Sequence, residues 1–534
     1  MDNNKTVINN KFFFVLFLVL CYLIVNTGMH SDEYEAVHLF QDGSFSFYKF
    51  LALFPPIQQE TMPTGLQQTM LVNPVSYYAF WWTYFIFGLD HQWIYDLTKI
   101  ICHLLCVFFV YRFALDYLSK ERAVLLSILF VFYPLHETTT YWYMIIPYVL
   151  VPSMFMFSHH LVRNKRFGLG VLFSTVAAFS YYVSPPYFLG LSVIFLLEKK
   201  FKEAFLFAIP GIFYIAYYFL ITHAVYSVER KIDPNLSLLE ITRYFFLQMF
   251  SFLDAAVGPS YFLKAIWSIG SLNLLSLLLA CFLFIFFLNQ QSSFSKISKI
   301  PKTLFVGLIA VVLLSFAMYA LTGLNTHSAF NLGNRGTVYG SLLIAFLLSV
   351  VPINKKSIAL ISLMILLPVF GLSDHWKSWN VKQKIIIENV QSNPELLALE
   401  SDSIVLVSGN GYSKLGPFSH VEFLNTPYTL AALFQKQHGA DKFPMIQTIP
   451  LNSEIDYKDG YIINHHFNYK YELGDNMFLY DSENNVVTKI SKDTLHQLLL
   501  DREKEIRHWV QLLENSQVSK IIIWFSPRLA YLFD

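Results

Sequence analysis

The chain has 534 residues, 55% of them hydrophobic and 14% charged, with a mean hydropathy of +0.45, whereas soluble domains hold roughly 45–50% apolar and about 25% charged residues. This is the composition of a membrane protein. A net charge of +1 without clustered Lys and Arg argues against nucleic-acid binding, and Cys21, Cys102, Cys106 and Cys281, all inside apolar runs, argue against a disulfide framework.

About 20 apolar residues are needed to cross roughly 30 Å of hydrocarbon. By that measure about eleven spans are expected, at 11–29, 94–117, 123–136, 142–158, 166–183, 185–198, 203–223, 263–288, 303–323, 336–353 and 357–373. The first could instead be a signal peptide, but Asn26-Thr27-Gly28-Met29 is a poor cleavage sequence and a retained helix is favoured.

Basic residues then fall in every second connection: Lys120/Arg122, Arg163/Lys165/Arg166, Lys199/Lys200/Lys202, Lys296/Lys299/Lys302 and Lys355/Lys356. Since cytoplasmic loops carry the excess of Lys and Arg, the N-terminus is expected inside and everything beyond the last span outside. Residues 30–93 and 224–262 are read as long outer connections, the former with juxtamembrane helices rich in Phe, Tyr and Trp. From Asp374 the composition turns polar. The expected architecture is therefore a mainly α polytopic region, 1–373, followed by a soluble extracytoplasmic α/β domain, 374–534, with strands at Ile404–Val407, Tyr461–Ile463, Met477–Tyr480 and Ile521–Trp524.

The candidate chemistry lies in the outer connections. Ser31-Asp32-Glu33-Tyr34-Glu35 presents two adjacent acids directly after the first span, where a carboxylate can serve as general base or cation ligand, or simply favour a helix N-terminus. Pro134-Leu135-His136-Glu137 sets an imidazole beside a carboxylate, a pair that can orient a hydroxyl, hold a cation or sit in headgroup water. Arg335, in a Gly-containing loop ahead of an apolar span, suits bidentate capture of a phosphate, with interfacial snorkelling as the alternative. The loop from His223 to Phe262, with Lys264 just beyond, carries several cations that could help hold an anionic headgroup, but reads first as a solvated mixed-charge connection.

Asn73-Pro74-Val75-Ser76, Phe87-Gly88-Leu89, Trp93-Ile94-Tyr95, His103-Leu104-Leu105 and the run from Leu129 to Glu137 with Trp142 follow an order that resembles the GT-C superfamily of polytopic glycosyltransferases. The likeness is to the branch of protein O-mannosyltransferase-like and tetratricopeptide-linked transmembrane mannosyltransferases. It spans roughly residues 12–145, with an echo at Arg335, and departs from the family pattern where Glu137 follows His136 directly.

The resemblance implies a GT-C-like fold and sugar transfer from a polyprenyl-phosphate carrier to a glycan, lipid or protein acceptor on the extracytoplasmic side. Asp32 or Glu33 would then be the catalytic base, or the ligand of a divalent metal if one is used. His136 and Glu137 would line the cavity and Arg335 would meet the carrier phosphate. No cofactor is required, membrane lipid is a partner, and a bacterial inner membrane is the expected location. Two alternatives stand beside this reading: a transporter or flippase of lipid-linked saccharides, with charges buried at mid-membrane depth and broken helices, and a non-catalytic membrane assembly protein.

Overall fold

A computed structural model describes residues 10–31, 33–34, 36–37, 71–76, 79–80, 82–89, 91–224, 232, 235–289, 300–323, 327–330, 332–400, 402–408, 446–451, 455–464, 469–502 and 516–525, with isolated positions between 424 and 434. Asp32 and most of the expected juxtamembrane segment lie outside the described residues.

The helical body begins with α1 (Asn10–Ile24), α2 (Gln92–Ala114), α3 (Lys120–Val131), α4 (Pro147–Arg163), α5 (Phe167–Ser180), α6 (Pro185–Leu197) and α7 (Phe201–Ala224). It continues with α8 (Leu238–Val257), α9 (Pro259–Gly270), α10 (Leu274–Asn289), α11 (Lys302–Ala320), α12 (Val338–Val350) and α13 (Leu367–Ser392). Starts are chemically marked. Pro147, Pro185 and Pro259 open their helices where no N–H is needed, and Ser237 with Glu240 forms a capping box at α8.

The expected number of crossings is corrected. Among the described residues five helices are long and apolar enough to span a bilayer: Gln92–Ala114, Tyr143–Arg163, Phe201–His223, Lys302–Ala320 and Lys355–Ser392. A sixth is added if Leu238–Gly270 and Leu274–Asn289, bent by 117° at their junction, count as one. The fold is a multi-pass helical membrane protein, with five or six such spans among the described residues instead of the expected eleven or so.

The reason lies in the difference between an apolar run and a helix. The runs at 123–136, 166–183, 185–198 and 336–353 include turn residues, and their helices have only 12, 14, 13 and 13 residues. At 1.5 Å per residue these cover about 18–21 Å, short of roughly 30 Å of hydrocarbon. The segment read as an outer loop, 224–262, contains α8 and the start of α9.

Sequence neighbours pack together in α2 with α3 and α4 with α5, and distant helices in α6 with α11. Ser158 of α4 donates to the Gly170 carbonyl of α5 at 2.7 Å. On α6, Gly190 lies so close to α11 that an added Cβ would stand 2.6 Å from the Val311 nitrogen. A small residue at that crossing is what lets two backbones touch without a hydrophobic drive from water. The helix ends then gather by charge. Asp116, His160, Arg163 and Glu198 meet at one end, with His160 Nδ1 3.0 Å from Asp116 and Arg163 2.7 Å from Glu198.

The expected boundary at 373/374 falls inside α13, which carries the chain out of the helical body to the strands. One sheet has the order β2-β1-β6-β7, from Gln447–Pro450, Ile404–Ser408, Met477–Asp481 and Val486–Ile490; β1 runs parallel to both β2 and β6, and β7 is antiparallel. A second, antiparallel sheet joins β3 (Ile455–Lys458), β4 (Tyr461–Asn464) and β5 (Tyr469–Glu472).

Along β1 the side chains alternate. Val405 and Val407 belong to the same core as Val390 near the end of α13 and Leu396 just beyond it, whereas Ile404 and Leu406 join a second core with Ile490, Leu495 and Leu499. The last two come from α14 (Lys492–Arg502). The final segment expected as a strand, Ile521–Trp524, is helical instead, within α15 (Gln517–Phe525).

Candidate functional site

Between α3 and α4 the chain makes three short buried turns, Pro134–His136, Thr138–Tyr141 and Tyr143–Ile145. All three sequence-selected regions that can be placed converge on them.

The first is the turn that follows α1. Gly28 has φ +71°, and a Cβ there would collide with the Asn380 side chain, so only glycine fits. Asp96 of α2 accepts from the Asn26 nitrogen at 2.8 Å. Lys99 donates to Thr27 Oγ1, the Gly28 carbonyl and the Tyr141 carbonyl at 2.8–3.0 Å. Next along the chain, Glu33 is fully buried. One of its oxygens accepts from the His30 nitrogen at 2.6 Å, and the other from the Met144 nitrogen at 2.9 Å and the Tyr84 hydroxyl at 3.3 Å. Burial pushes its carboxyl up to about 8, against the opposing pull of Lys99 and these donors. Glu33 thus pins the segment that follows α1 onto the Tyr143–Ile145 turn.

The second region is His136-Glu137. His136 is buried, and burial holds its imidazole down to about 3, that is, neutral. Glu137 is 3% exposed and ion-paired with Lys264 of α9. Its other oxygen accepts from Asn334 Nδ2 at 2.9 Å, and Asn334 in turn accepts from Thr138. Lys264 also donates to the carbonyls of Ala329, at 2.6 Å, and Leu135, at 3.2 Å. In the sequence Lys264 is legible only as one of the cations beside the outer loop, because its partner Glu137 stands 127 positions away.

The third is Arg335, next to Asn334 in the short helical turn Leu332–Thr337. Its guanidinium carbon lies 5.6 Å from the Tyr148 ring centre and 5.9 Å from that of Trp142, within cation–π range. Among the described residues it makes no hydrogen bond or ion pair. It lines a cavity of about 610 Å³. Tyr148, Tyr182 and Tyr319 stand around Arg335 in that cavity, the first two with hydroxyls 3.2 Å apart, while Leu189, Ile215, Phe219, Leu314 and Met318 form an apolar wall.

The lining is amphipathic, combining among the described residues one cation and several hydroxyls with hydrocarbon side chains. It can hold an oxyanion attached to an apolar chain, since a guanidinium presents a fork of donors to phosphate. No protein-family model matches the sequence, and no curated protein matches it. Among the described residues no group of three or more His, Cys, Asp or Glu is placed to hold a metal ion.

Proposed function

We propose that this protein is a membrane-embedded transferase that takes a sugar from a polyprenyl-phosphate carrier, in the manner of GT-C glycosyltransferases, and passes it to an acceptor on the extracytoplasmic side. The observation that carries the reading is Arg335, a cation without a carboxylate partner among the described residues, set in a cavity walled by tyrosines and hydrocarbon. The basic helix ends at Arg163, Lys165 and Lys200, taken as cytoplasmic, put Arg335 near the opposite side.

In this reading the carrier phosphate sits at Arg335 and its prenyl chain follows the apolar wall. The acceptor hydroxyl attacks C1 of the sugar, the C1–O bond to phosphate breaks, and the departing phosphate's charge is met by Arg335. The acceptor's proton goes to a carboxylate. Asp32 takes that role, because both oxygens of Glu33 are engaged in holding the turn. Glu137, likewise committed to Lys264 and Asn334, holds the Arg335 loop in place.

A transporter of the same lipid is the second reading, favoured by the buried Glu137–Lys264 pair and the 117° break after α9. One experiment separates them. Purified protein in nanodiscs is given a panel of polyprenyl-phosphate sugars, wild type beside Asp32→Asn and Arg335→Gln, with hydrolysis counted as turnover. Turnover that disappears in both variants, while the protein keeps its thermal transition, supports transfer. Full turnover in Asp32→Asn would remove Asp32 as base. Movement of intact lipid-linked sugar across proteoliposomes without consumption would replace transfer by transport.

A further inference from the structure

The helix α15 packs against α8, part of the bent pair that would make a sixth candidate span, instead of completing a sheet. The Phe250 ring of α8 lies 4.9 Å from that of Phe525 and 5.5 Å from that of Trp524. Around this contact both helices present apolar side chains outward. On α8, Leu239, Phe246, Leu253 and Val257 are exposed, and spacings of 7, 7 and 4 residues place them along one face. Phe250 falls on that same face, between Phe246 and Leu253, so α15 sits beside the stripe.

On α15 itself, Val518, Ile521 and Phe525 follow at helical spacing, with Ile521 55% and Trp524 59% exposed. Lys520 lies to the other side. An apolar stripe that turns away from its own protein and continues the exposed face of a helix in a membrane-spanning unit has hydrocarbon as its natural neighbour. Trp at its edge and Lys opposite are the residues that settle at headgroup level.

We infer that α15 is an interfacial membrane anchor: it lies in the plane of the bilayer surface, with Val518, Ile521 and Phe525 in the acyl region and Trp524 at the headgroups. The strand-bearing region is thereby tied to the membrane at two places, by α13 where it begins and by α15 beyond α14. A protein partner or a second copy covering the stripe is the competing occupant, and the test must tell lipid from protein.

The full chain, with Cys21, Cys102, Cys106 and Cys281 replaced by Ala, is reconstituted in nanodiscs. Spin labels are attached at Ile521→Cys or Lys520→Cys, and collision with molecular oxygen is compared with collision with a water-soluble nickel complex. An anchor gives oxygen the advantage at 521 and nickel the advantage at 520. Ready access of nickel at 521 overturns the proposal, and so does access of neither reagent there, which would mean a protein cover. If the cysteine-free chain does not fold, brominated-acyl lipid is used on the native chain and on Trp524→Phe. A quenched fraction that falls with loss of this one of nine tryptophans supports the anchor; an unchanged fraction overturns it.

Discussion

Arg335 has aromatic faces where a carboxylate would ordinarily stand, and that difference decides what its replacement should do. An arginine in a structural ion pair is missed by the fold when it is removed. With no hydrogen bond or ion pair among the described residues, Arg335 has little of that kind to lose. Arg335→Gln is therefore expected to leave the melting temperature within a few degrees of wild type while weakening polyprenyl-phosphate binding. Charge-assisted hydrogen bonds of about 1.5–3 kcal/mol correspond to roughly 10–100-fold in Kd. Arg335→Lys should lie between, keeping the charge and losing the fork. Lipid titration beside thermal scanning checks both halves; a large loss of stability with unchanged lipid affinity would make Arg335 a structural residue.

Glu33 is the opposite case, a carboxyl committed wholly to the protein. Its folded value of about 8 lies above the ordinary 4.5, so between those pH values the folded state binds more protons than the unfolded one. Stability should accordingly fall as pH rises from about 4.5 to 8. Glu33→Gln keeps a neutral acceptor for Met144 and should flatten this slope, which chemical unfolding at several pH values would measure. An identical slope in the variant would mean that another group titrates. The sequence drew attention to this acidic cluster because two acids follow an apolar run. It could not say that Glu33 is sealed in, since its burial depends on Tyr84 and Met144, 51 and 111 residues away.

At the scale of elements, the buried pair of Glu137 and Lys264 joins α9 to the turns between α3 and α4 and, through Asn334, to the loop that carries Arg335. Desolvation makes such a pair poor value for stability in its own right, but removing one partner strands a charge and costs about 3–5 kcal/mol. Lys264→Met should therefore destabilise the protein strongly. The double variant Lys264→Met with Glu137→Gln should recover much of that loss, and thermal scanning of the three variants would read it. If the double variant is as damaged as Lys264→Met, the loss comes from the carbonyls of Ala329 and Leu135 that Lys264 also serves. Element type was largely legible from the sequence, because long apolar runs become helices and the run Ile404-Val405-Leu406-Val407 becomes a strand, although the triplet Ile521-Ile522-Ile523 is helical. Element length was not. A hydropathy window does not register that the run 123–136 yields a helix of only 12 residues, or that the chain turns sharply between Gly270 and Leu274.

On the scale of the whole molecule, the sequence suggested two regions divided where polarity rises, and the packing joins them. Composition reports what each residue prefers, not what it touches. Val390, Leu396, Leu399, Val405, Val407 and Tyr480 are buried in a core that runs unbroken from the membrane helices through α13 into one face of the first sheet. Asn393 reinforces the joint by donating to Asn485 at 2.9 Å, and Lys382 pairs with Glu483 at 2.8 Å. A chain ended after Ser392 would leave Val390 and its helical neighbours uncovered, and each large apolar side chain so exposed costs about 1.5–3 kcal/mol. The truncated protein is expected to melt at a lower temperature than the full chain and to elute as a broad, aggregated species in detergent. Size-exclusion profiles and thermal scans of the two proteins side by side check this. A truncated body that elutes as a single sharp species with an unchanged transition would mean that the sheet rests on the helices without supporting them. Arg335 would then owe its position to the membrane helices and the turns between α3 and α4 alone.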